Sequence, residues 1–532
     1  MRLLRVYIDG YRNLKNVTVD FDKDSLTTVM IGENGSGKSN LIEAIVEVFR
    51  AYDLGGPRTI KFRYEIIYRI GQSTVRLNSS ESNIFASVHS DSELNSVKYY
   101  PIAPTGFLPD LIFGYYSGTA RKLEKLFDTH QSRYYGVISK GRLDMKFEFA
   151  RDARRLFYCR PIHGVLALLS YLAKPGKDRD AKALLTEKLG ITGFHSALAH
   201  FKEPSWFPGS KVAAVRETRN LWGADGLAGV CARALRDVAF HPLELEGAVV
   251  DDYRRKASKE AQLACFLRDE KALKAFADNY ATDQDMFAAL EAADISDLFR
   301  DIIVWVTRKN DKSGDISFSD LSDGERQLLM VLGLIRVSRG KEALFLLDEP
   351  DTHLNPAWQL TYLELIREWT EVAADEDKCQ IIMTTHNPLT IAALTKKEVR
   401  VMQKGPDDQI MVSEPYADPR GLGFTSTLTE IFGLPTTLDP ETQKQIDDRN
   451  TLARIDKRSE DQDRKLIELN DKLDRLGFLH ESRDPLYDDF LKAVHDYKYE
   501  DRPVMTQDQI EKRRLAMRAL IKSLSTEQGK AH

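Results

Sequence analysis

A glycine-rich loop, GENGSGKS at residues 32–39, constrains the fold of this chain more than any other feature. It follows the apolar run TTVMI and precedes a segment in which apolar residues recur at helical spacing, from Leu41 to Phe49. A loop of the form GxxxxGK[ST] between a buried strand and an amphipathic helix binds phosphate in nucleotide-binding α/β proteins. The alternative, a glycine-rich turn without a ligand, leaves the flanking strand and helix unexplained.

In this loop the glycines at 32, 35 and 37 allow backbone N–H groups to approach phosphate oxygens, and the helix N-terminus adds a positive dipole. The pattern predicts that Lys38 reaches the β- and γ-phosphates and that Ser39 binds Mg²⁺. The residues predicted to bind nucleotide here are Gly32, Asn34, Gly35, Ser36, Gly37, Lys38, Ser39 and Asn40.

A second apolar run, ALFLLDEP, ends in two adjacent carboxylates. A buried strand that ends in Asp348 and Glu349 delivers both to one edge of a sheet, where like charges repel unless a cation is present. Asp348 suits the Mg²⁺ shell, and Glu349 suits polarising the attacking water, which makes it the predicted catalytic base. Taken alone, this motif has an ordinary strand-to-loop junction as its alternative.

Two further motifs extend the predicted site. In LSDGERQ, residues 321–327, Ser322 and Gly324 precede the apolar segment QLLMVLGLI, so a hydroxyl, a backbone N–H and a helix dipole point in one direction. Ser322 and Glu325 also have the spacing of a capping box, which is compatible with phosphate binding. His386 follows the strand pattern IIMTT, which places its ring beside the γ-phosphate; a structural histidine is the alternative there.

The composition is that of an ordinary globular chain without a basic surface overall. The 532 residues are 42% hydrophobic and 30% charged, with 76 Lys+Arg against 81 Asp+Glu and a net charge of −5, so any nucleic-acid contact must be local. The four cysteines, at positions 159, 231, 265 and 379, are far apart and predict buried free thiols in a reducing compartment. Without a signal-peptide pattern or a long apolar run, we expect a cytoplasmic protein with no membrane contact.

The order of strand and helix patterns predicts an α/β fold in four regions. Residues 1–120 form a first lobe with the phosphate loop, and residues 301–400 form a second lobe with the other motifs. Residues 121–300 have mostly helical patterns, as in KEAQLACFLRDEKALKAFADNY, and predict a helical insertion. Residues 401–532 are polar, with leucines at amphipathic spacing from 466 to 476, and predict a C-terminal helical extension that docks a partner.

The motifs GENGSGKS, LSDGERQ, LFLLDEP, DTHLNP and TTHNP occur in this order, and the chain thereby resembles the ABC ATPase superfamily. Within it, the SMC, Rad50 and RecF-like heads and the overcoming-lysogenization-defect (OLD) ATPases are the most similar. The resemblance covers residues 1–120 and 300–400. It implies an ABC-type ATPase head, split by the helical insertion, whose second lobe holds the signature, Walker B, D-loop and H-loop motifs.

The resemblance also implies how the site works, with ATP and Mg²⁺ as cofactors. ATP lies between the phosphate loop of one head and LSDGERQ of another, so a homodimer is expected and a higher oligomer stays open. Asp351 belongs to the loop that crosses the dimer, His386 to a γ-phosphate switch, and Arg12 of GYRN to a position near the nucleotide. The segment LIFGYYSG lacks the glutamine found at this point in such heads, which leaves residues 116–118 unassigned.

Beyond the ATPase motifs, GLGFTSTLTEIFGLPTTLDPET and RDPLYDDFLKAV are similar to the C-terminal region of the PtuA family. These are the ATPase subunits of Septu antiphage systems and of retrons that contain them. In that family the ATPase assembles with the HNH nuclease PtuB, and in retrons also with a reverse transcriptase and its RNA-linked DNA. The resemblance implies an ATP-hydrolysing sensor that controls a partner nuclease.

Two other functions stay open. An OLD-type nuclease has a metal-dependent Toprim domain after its ATPase, but Asp461 and Asp463 lie in a charged run with no apolar strand to present them. A RecF- or SMC-like DNA-repair clamp acts without a nuclease partner. The best candidate for nucleic-acid contact is a segment where cations and aromatics interleave, with a solvated helical face as the alternative. Its residues are Arg133, Tyr134, Tyr135, Arg151, Arg154, Arg155, Tyr158 and Arg160.

Overall fold

The structure, a computed structural model, describes residues 1–476 apart from 80–84, 91–96, 102, 141–153, 175–183, 207–217, 250–257, 338–340, 373–378, 406–408 and 456. The chain divides into two compact units, Met1–Pro435 and Thr436–His532. The strands in chain order are β1 Arg2–Asp9, β2 Val17–Asp20, β3 Thr27–Gly32, β4 Arg63–Ile70, β5 Ser73–Asn78, β6 Ala86–Ser90, β7 Val97–Tyr100, β8 Leu111–Tyr116, β9 Leu156–Tyr158, β10 Ile191–Lys202, β11 Leu243–Val249, β12 Ser258–Leu267, β13 Phe299–Arg308, β14 Asp311–Ser317, β15 Ala343–Asp348, β16 Cys379–Thr384, β17 Val399–Lys404 and β18 Ile410–Ser413.

Helices alternate with these strands in the way an α/β fold requires. They are α1 Lys38–Asp53, α2 Lys122–Lys125, α3 Asp128–Lys140, α4 Ile162–Ala173, α5 Gly226–Val238, α6 Glu270–Ala277, α7 Asp283–Ile295, α8 Asp323–Val337, α9 Pro356–Val372, α10 Pro388–Ile391, α11 Gly423–Ser426, α12 Pro440–Ala453 and α13 Glu460–Arg475. The mixed α/β class predicted from the sequence is confirmed.

A seven-stranded sheet in the order β18-β17-β3-β16-β15-β8-β9 forms the centre of the first unit. Its strands pair in parallel except for β18. All side chains of β3 and β15 are buried, because both faces of a parallel sheet are covered and its strands read as continuous apolar runs. The sheet therefore brings the ends of β3, β15 and β16 to one edge.

Alternate side chains of the central sheet enter two different hydrophobic cores. Met30 and Leu346 pack with α1 and with a six-stranded antiparallel sheet in the order β2-β1-β4-β5-β6-β7. Ile31 and Leu347 pack on the opposite side with residues of α4, α5 and α7. The central sheet is thus the middle layer, and the phosphate-loop helix α1 covers one face.

The region 121–300 holds a five-stranded antiparallel sheet that the helical interpretation missed, in the order β11-β12-β10-β13-β14. KEAQLACFL was predicted to be helical and forms most of β12, while the following EKALKAFA forms α6. That prediction was wrong because β12 pairs with both β10 and β11, and such pairing overrides weak helix propensity. Strands β13 and β14 continue this sheet past residue 300, across the predicted boundary.

The predicted boundary between the second ATPase lobe and the C-terminal extension, at residue 400, also differs from the structure. It falls inside β17, which pairs with β3 in the central sheet, and the first unit continues to Pro435. In the second unit, α13 contains leucines of the predicted amphipathic pattern, and two of them, Leu469 and Leu473, are buried. The segment RDPLYDDFLKAV, residues 483–494, lies outside the described residues.

Candidate nucleotide site

The phosphate loop connects β3 to α1, as its sequence predicts. Gly32 has φ 149° and Gly37, the residue before α1, has φ 92°. A Cβ at Gly32 would lie 2.0 Å from the carbonyl oxygen of Met402, so glycine is required at this position. The loop tip at Asn34 and Gly35 is exposed while Ser36 is buried. The backbone of the loop therefore forms a compact turn directly before the N-terminus of α1.

Lys38 lies inside this turn and is 6% exposed. Its Nζ donates to the carbonyl oxygens of Gly32 at 2.8 Å and Glu33 at 3.0 Å. Burial lowers the pKa of Lys38 to about 8, although the carboxylates of Glu349 and Asp348 act in the opposite direction. The ammonium of Lys38 thus lies in the loop where phosphate oxygens of a bound nucleotide would take the place of these carbonyl oxygens as hydrogen-bond acceptors.

We expect ATP affinity to depend on pH through Lys38. The group is charged below its pKa of about 8, and bound phosphate favours the charged form, so affinity is highest below pH 8 and falls above it. The decrease should approach roughly tenfold for each pH unit. Titration of ATP between pH 7 and 9.5 at constant Mg²⁺ checks this; an affinity that stays constant over that range would show that Lys38 does not titrate in the free site.

Ser39 and Asp348 meet at the start of α1 and the end of β15. Ser39 Oγ donates to Asp348 Oδ1 at 3.1 Å, and the hydroxyl of Thr384 donates to the same oxygen. Burial raises the pKa of Asp348. A hydroxyl and a buried carboxylate beside a phosphate loop are oxygen ligands of the kind that Mg²⁺ prefers, and these two residues fit a magnesium ion.

Glu349 and His386 lie together at the same sheet edge. Glu349 Oε1 is 3.0 Å from His386 Nε2, and this hydrogen bond holds the pKa of Glu349 below its usual value. Glu349 has φ 52°, in the left-handed region. Its N–H bonds to Thr384 O at 3.2 Å and Thr384 Oγ1 at 3.0 Å. An ionised carboxylate held in a strained backbone conformation is typical of a functional position.

Arg12 contacts the start of helix α1, and its position near bound nucleotide stays a prediction. Its Nη1 donates to Asn40 Oδ1 at 2.9 Å, and its guanidinium pairs with Glu43. Asn13, which the sequence analysis did not select, donates to the carbonyl of Gly35 at 2.9 Å and accepts from Asn40 at 2.6 Å. The sequence signal for Asn13 was its place beside Arg12 in GYRN.

Asp351 faces the interior of its own head. Its carboxylate accepts hydrogen bonds from Thr385 Oγ1 at 2.6 Å and from Thr390 Oγ1, and it is 2% exposed. Burial raises the pKa of Asp351. A contact between Asp351 and nucleotide across a dimer stays a prediction.

The segment LSDGERQ begins helix α8, and its capping box is formed. Ser322 N donates to Glu325 Oε2 at 2.8 Å, and Glu325 N donates to Ser322 Oγ at 3.3 Å. A Cβ at Gly324 would lie 2.8 Å from the carbonyl oxygen of His353. Gln327 bonds to the carbonyl of Pro350 and to His353 N–H. The signature is therefore packed on the loop after β15, and none of these bonds reaches the phosphate loop.

The position left unassigned after β8 also lies near the carboxylates. Ser117 N donates to the carbonyl of Asp348 at 3.2 Å, and Ser117 Oγ lies 3.2 Å from Thr352 Oγ1. Desolvation and the nearby carboxylates of Asp348 and Glu349 raise the pKa of Tyr116.

Most described residues of the predicted nucleic-acid segment are buried or half-buried, unlike the exposed surface that was expected. Arg154 is 5% exposed and pairs with Glu291, while its guanidinium stacks over the rings of Tyr134 and Phe157. Tyr158 is also buried, and Arg155 and Arg160 are half-buried. Arg155 forms an ion pair with Asp53, and Arg160 forms one with Asp294. Arg133 is exposed, and Arg151 lies outside the described residues. Arg154, Arg155 and Arg160 thus neutralise carboxylates within the fold, and these three cations are not the exposed phosphate contacts that the sequence pattern suggested.

Other predictions concern groups away from the site. Cys159, Cys231 and Cys265 are buried free thiols, as expected, and Cys379 is partly buried. Within the described ranges, no group of three or more His, Cys, Asp or Glu side chains is placed to hold a metal ion. Of the helices that the structure describes, none is both long and apolar enough to span a membrane.

Fold and site together define a nucleotide-binding phosphate loop at the edge of a parallel α/β sheet. Residues 239–392 match the family described as "AAA domain, putative AbiEii toxin, Type IV TA system", and residues 1–95 match the family described as "AAA ATPase domain". These matches include the phosphate loop and the segments LSDGERQ, LFLLDEP and TTHNP. The similarity of these two ranges to AAA ATPase domains supports nucleotide binding and ATPase activity.

Among curated proteins, the chain is similar to Septu protein PtuA from Bacillus mycoides, with 27% identity over 164 residues, 29% of this chain and 22% of that protein. PtuA from Bacillus thuringiensis is 29% identical over 178 residues, 29% of this chain and 42% of that protein. An OLD nuclease from Thermus scotoductus is 31% identical over 90 residues, 16% of each chain. The matched stretches thus span less than half of each relative.

The SMC head domain from Thermotoga maritima, a solved structure, aligns over 78% of this chain and 99% of its own length, with 14% identity and a TM-score of 0.27. The fold assignment here follows from the sheet order and the motifs.

Proposed function

We propose that this chain is the ATP-binding and ATP-hydrolysing regulatory subunit of an antiphage defence complex, and that it controls a partner nuclease of the HNH, PtuB-like type. The observation that carries the ATPase assignment is the convergence of Lys38, Ser39, Asp348, Glu349 and His386 at one edge of the central sheet. The PtuA relatives support the defence role.

Each of these side chains has a distinct role in the proposed reaction. Lys38 neutralises β- and γ-phosphate charge, and Ser39 with Asp348 holds Mg²⁺. Magnesium, when bound, neutralises charge that develops on the phosphate oxygens. Glu349 accepts a proton from the attacking water, and His386, 3.0 Å from Glu349 Oε1, orients that carboxylate.

We propose that a second head completes the site. In the isolated head, Ser322 and Gly324 bond and pack within their own lobe, beside Glu325 and the carbonyl of His353. Both lie at the N-terminus of the 15-residue helix α8, a favourable place for an anion. A homodimer in which each signature meets the other head's γ-phosphate uses this surface, and a higher oligomer built from such dimers is compatible with it.

Replacing Ser322 with arginine tests the shared site. We expect Ser322→Arg to bind ATP normally but to lose hydrolysis, because the bulky cation fills the space where the opposite γ-phosphate docks. Ser322→Ala is the matched control, since it removes the same cap, at a cost of about 1 kcal/mol, without the bulk. ATP titration and turnover of both variants check this. Full turnover by Ser322→Arg would show that the signature takes no part in catalysis.

The second candidate is an OLD-type nuclease with activity in this chain, which the OLD nuclease similarity favours. Asp461 and Asp463 are its candidate metal ligands beyond the ATPase motifs. Both lie in the first turn of α13, where they pair with Arg464 and Arg458. Two-metal nucleases need carboxylates that converge within about 4 Å of shared ions, whereas these two carboxylates are exposed to solvent and form surface ion pairs with arginines.

We therefore expect the purified chain alone to hydrolyse ATP slowly and to leave DNA and RNA intact with Mg²⁺ or Mn²⁺. Incubation with plasmid, single-stranded DNA and RNA, followed by electrophoresis, checks this. Cleavage that is abolished by Asp461→Ala with Asp463→Ala, while ATP hydrolysis continues, would replace the partner-nuclease proposal with the in-chain nuclease. Copurification with an HNH protein encoded beside this gene tests the partner, and an adjacent reverse transcriptase would indicate the retron form with its RNA-linked DNA.

A further inference from the structure

The end of strand β16 presents two consecutive threonines to the carboxylates of the neighbouring strand and loop. β15 and β16 are parallel and in register, with Asp348 opposite Thr384, so both strands end side by side. The exposed fractions of Thr384 and Thr385 are 0% and 1%. Thr384 bonds Asp348 and the backbone of Glu349, and Thr385 bonds Asp351. Each hydroxyl thus contacts an acidic segment of the proposed ATPase site.

We propose that Thr384 and Thr385 are positioning residues for ATP hydrolysis. Thr384 fixes the magnesium ligand and the base, and Thr385 fixes the loop that carries Asp351. This inference rests on the proposed ATPase function and assigns a role to residues that lie one and two positions before His386. The two hydroxyls act on different carboxylates, so their effects are separable.

The side chain of Thr384 contacts both residues of the Asp-Glu pair. Its hydroxyl donates to Asp348 Oδ1, the oxygen that Ser39 also approaches. If Ser39 ligated Mg²⁺ with its oxygen, Thr384 would remain as the donor that holds this carboxylate. The same Oγ1 accepts from Glu349 N–H at 3.0 Å and so supports the left-handed backbone of Glu349, φ 52°.

Thr385 connects two loops by hydrogen bonds: the segment after β16 that contains His386, and the loop after β15 that carries Asp351. Thr385 Oγ1 accepts from Asn387 N–H at 2.9 Å and donates to Asp351 Oδ2 at 2.6 Å. Thr390, in the helix that follows, donates to the same carboxylate oxygen. Asp351 can therefore move only if its hydrogen bonds to Thr385 and Thr390 break. Through Thr385, the loop that carries Asp351 is connected to the segment that contains His386.

Thr384→Val tests the first part, because valine keeps the β-branched shape and suits a strand but lacks the hydroxyl. The ratio of ATP affinity with Mg²⁺ to ATP affinity without Mg²⁺ should be roughly tenfold smaller in Thr384→Val than in the parent. This is the effect of losing one hydrogen bond to a charged group. Affinity without Mg²⁺ should not change, while kcat falls and KM for MgATP rises. Thr384→Ser restores the hydroxyl and should restore all three values. A fluorescent ATP analogue measures the affinities without turnover.

Thr385→Val tests the second part. We expect its Mg²⁺-dependent gain in ATP affinity to equal that of the parent, while kcat falls and Thr385→Ser recovers it. A parent-like Mg²⁺ gain in Thr384→Val, or failure of either serine variant to restore the parent values, would overturn the inference. If the Tm of Thr384→Val is well below that of the parent, Thr384→Cys is used in its place. Absence of turnover in the parent itself would instead refute the proposed ATPase function, while the Mg²⁺ binding comparison would still decide the role of Thr384.

Discussion

We expect Glu349→Gln to lower the rate of ATP hydrolysis by roughly 100- to 10,000-fold, the usual cost of losing a positioned general base. ATP and Mg²⁺ binding should persist, because Ser39, Asp348 and Lys38 are unchanged. The hydrogen bond with His386 holds the pKa of Glu349 below its usual value. The carboxylate is therefore ionised at neutral pH and can accept a proton.

Single-turnover and steady-state hydrolysis assays measure this effect. Glu364→Gln, at an exposed position of α9, is the matched control and should hydrolyse ATP at the parent rate. A Glu349→Gln variant that turned over like the parent would mean that another group activates water. Glutamine has nearly the same shape as glutamate, so a loss of ATP binding would point to misfolding, which a melting curve detects.

The second large effect concerns binding. Lys38→Ala removes the ammonium that the phosphates need, and each lost charged hydrogen bond costs about 1.5–3 kcal/mol, which is roughly ten- to a hundred-fold in affinity. We expect no measurable ATP binding at micromolar nucleotide. Lys397→Ala removes an exposed cation near β17 and should leave affinity unchanged. ATP affinity equal to the parent in Lys38→Ala would mean that the phosphate loop is not the nucleotide site.

The local parts of the site could be predicted from the sequence because each depends on a strand that ends in a polar residue. GENGSGKS follows β3, Asp348 ends β15 and His386 lies just after β16. Parallel strands bring such ends to one edge, so a correct strand order is enough to bring these side chains together. The contact of Ser39 with Asp348, 309 residues away in sequence, follows from that rule alone.

The parts that could not be predicted depend on distant partners. Arg154 pairs with Glu291, 137 residues away, and Arg155 pairs with Asp53, 102 residues away. Interleaved cations and aromatics look the same in sequence whether they face solvent or a buried carboxylate, and only the fold decides. The sheet of the insertion was missed for a related reason, since Ala, Glu, Lys and Gln in β12 suit a helix until β10 and β11 pair with it.

The interior position of Asp351 depends on a similar distant contact. Sequence order places it three residues after Asp348, in a loop, where an exposed carboxylate is the ordinary expectation. Its hydrogen-bond donors, Thr385 and Thr390, come from the neighbouring segment 34 and 39 residues later. The Thr384 and Thr385 hydroxyls thus belong to the part of the site that becomes visible only when two parallel strands are placed side by side.

In the proposed dimer, ATP is hydrolysed between the phosphate loop of one chain and the segment LSDGERQ of the other. Mixing Lys38→Ala with Ser322→Arg tests this arrangement, because we expect each variant alone to be inactive but a mixed pair to contain one intact site. With equal amounts and free exchange, about a quarter of the parent activity should return, as random pairing in a two-fold symmetric dimer requires. Activity in the mixture no greater than the sum of the separate variants, together with full activity of Ser322→Arg alone, would contradict a shared site and place the whole reaction within one head.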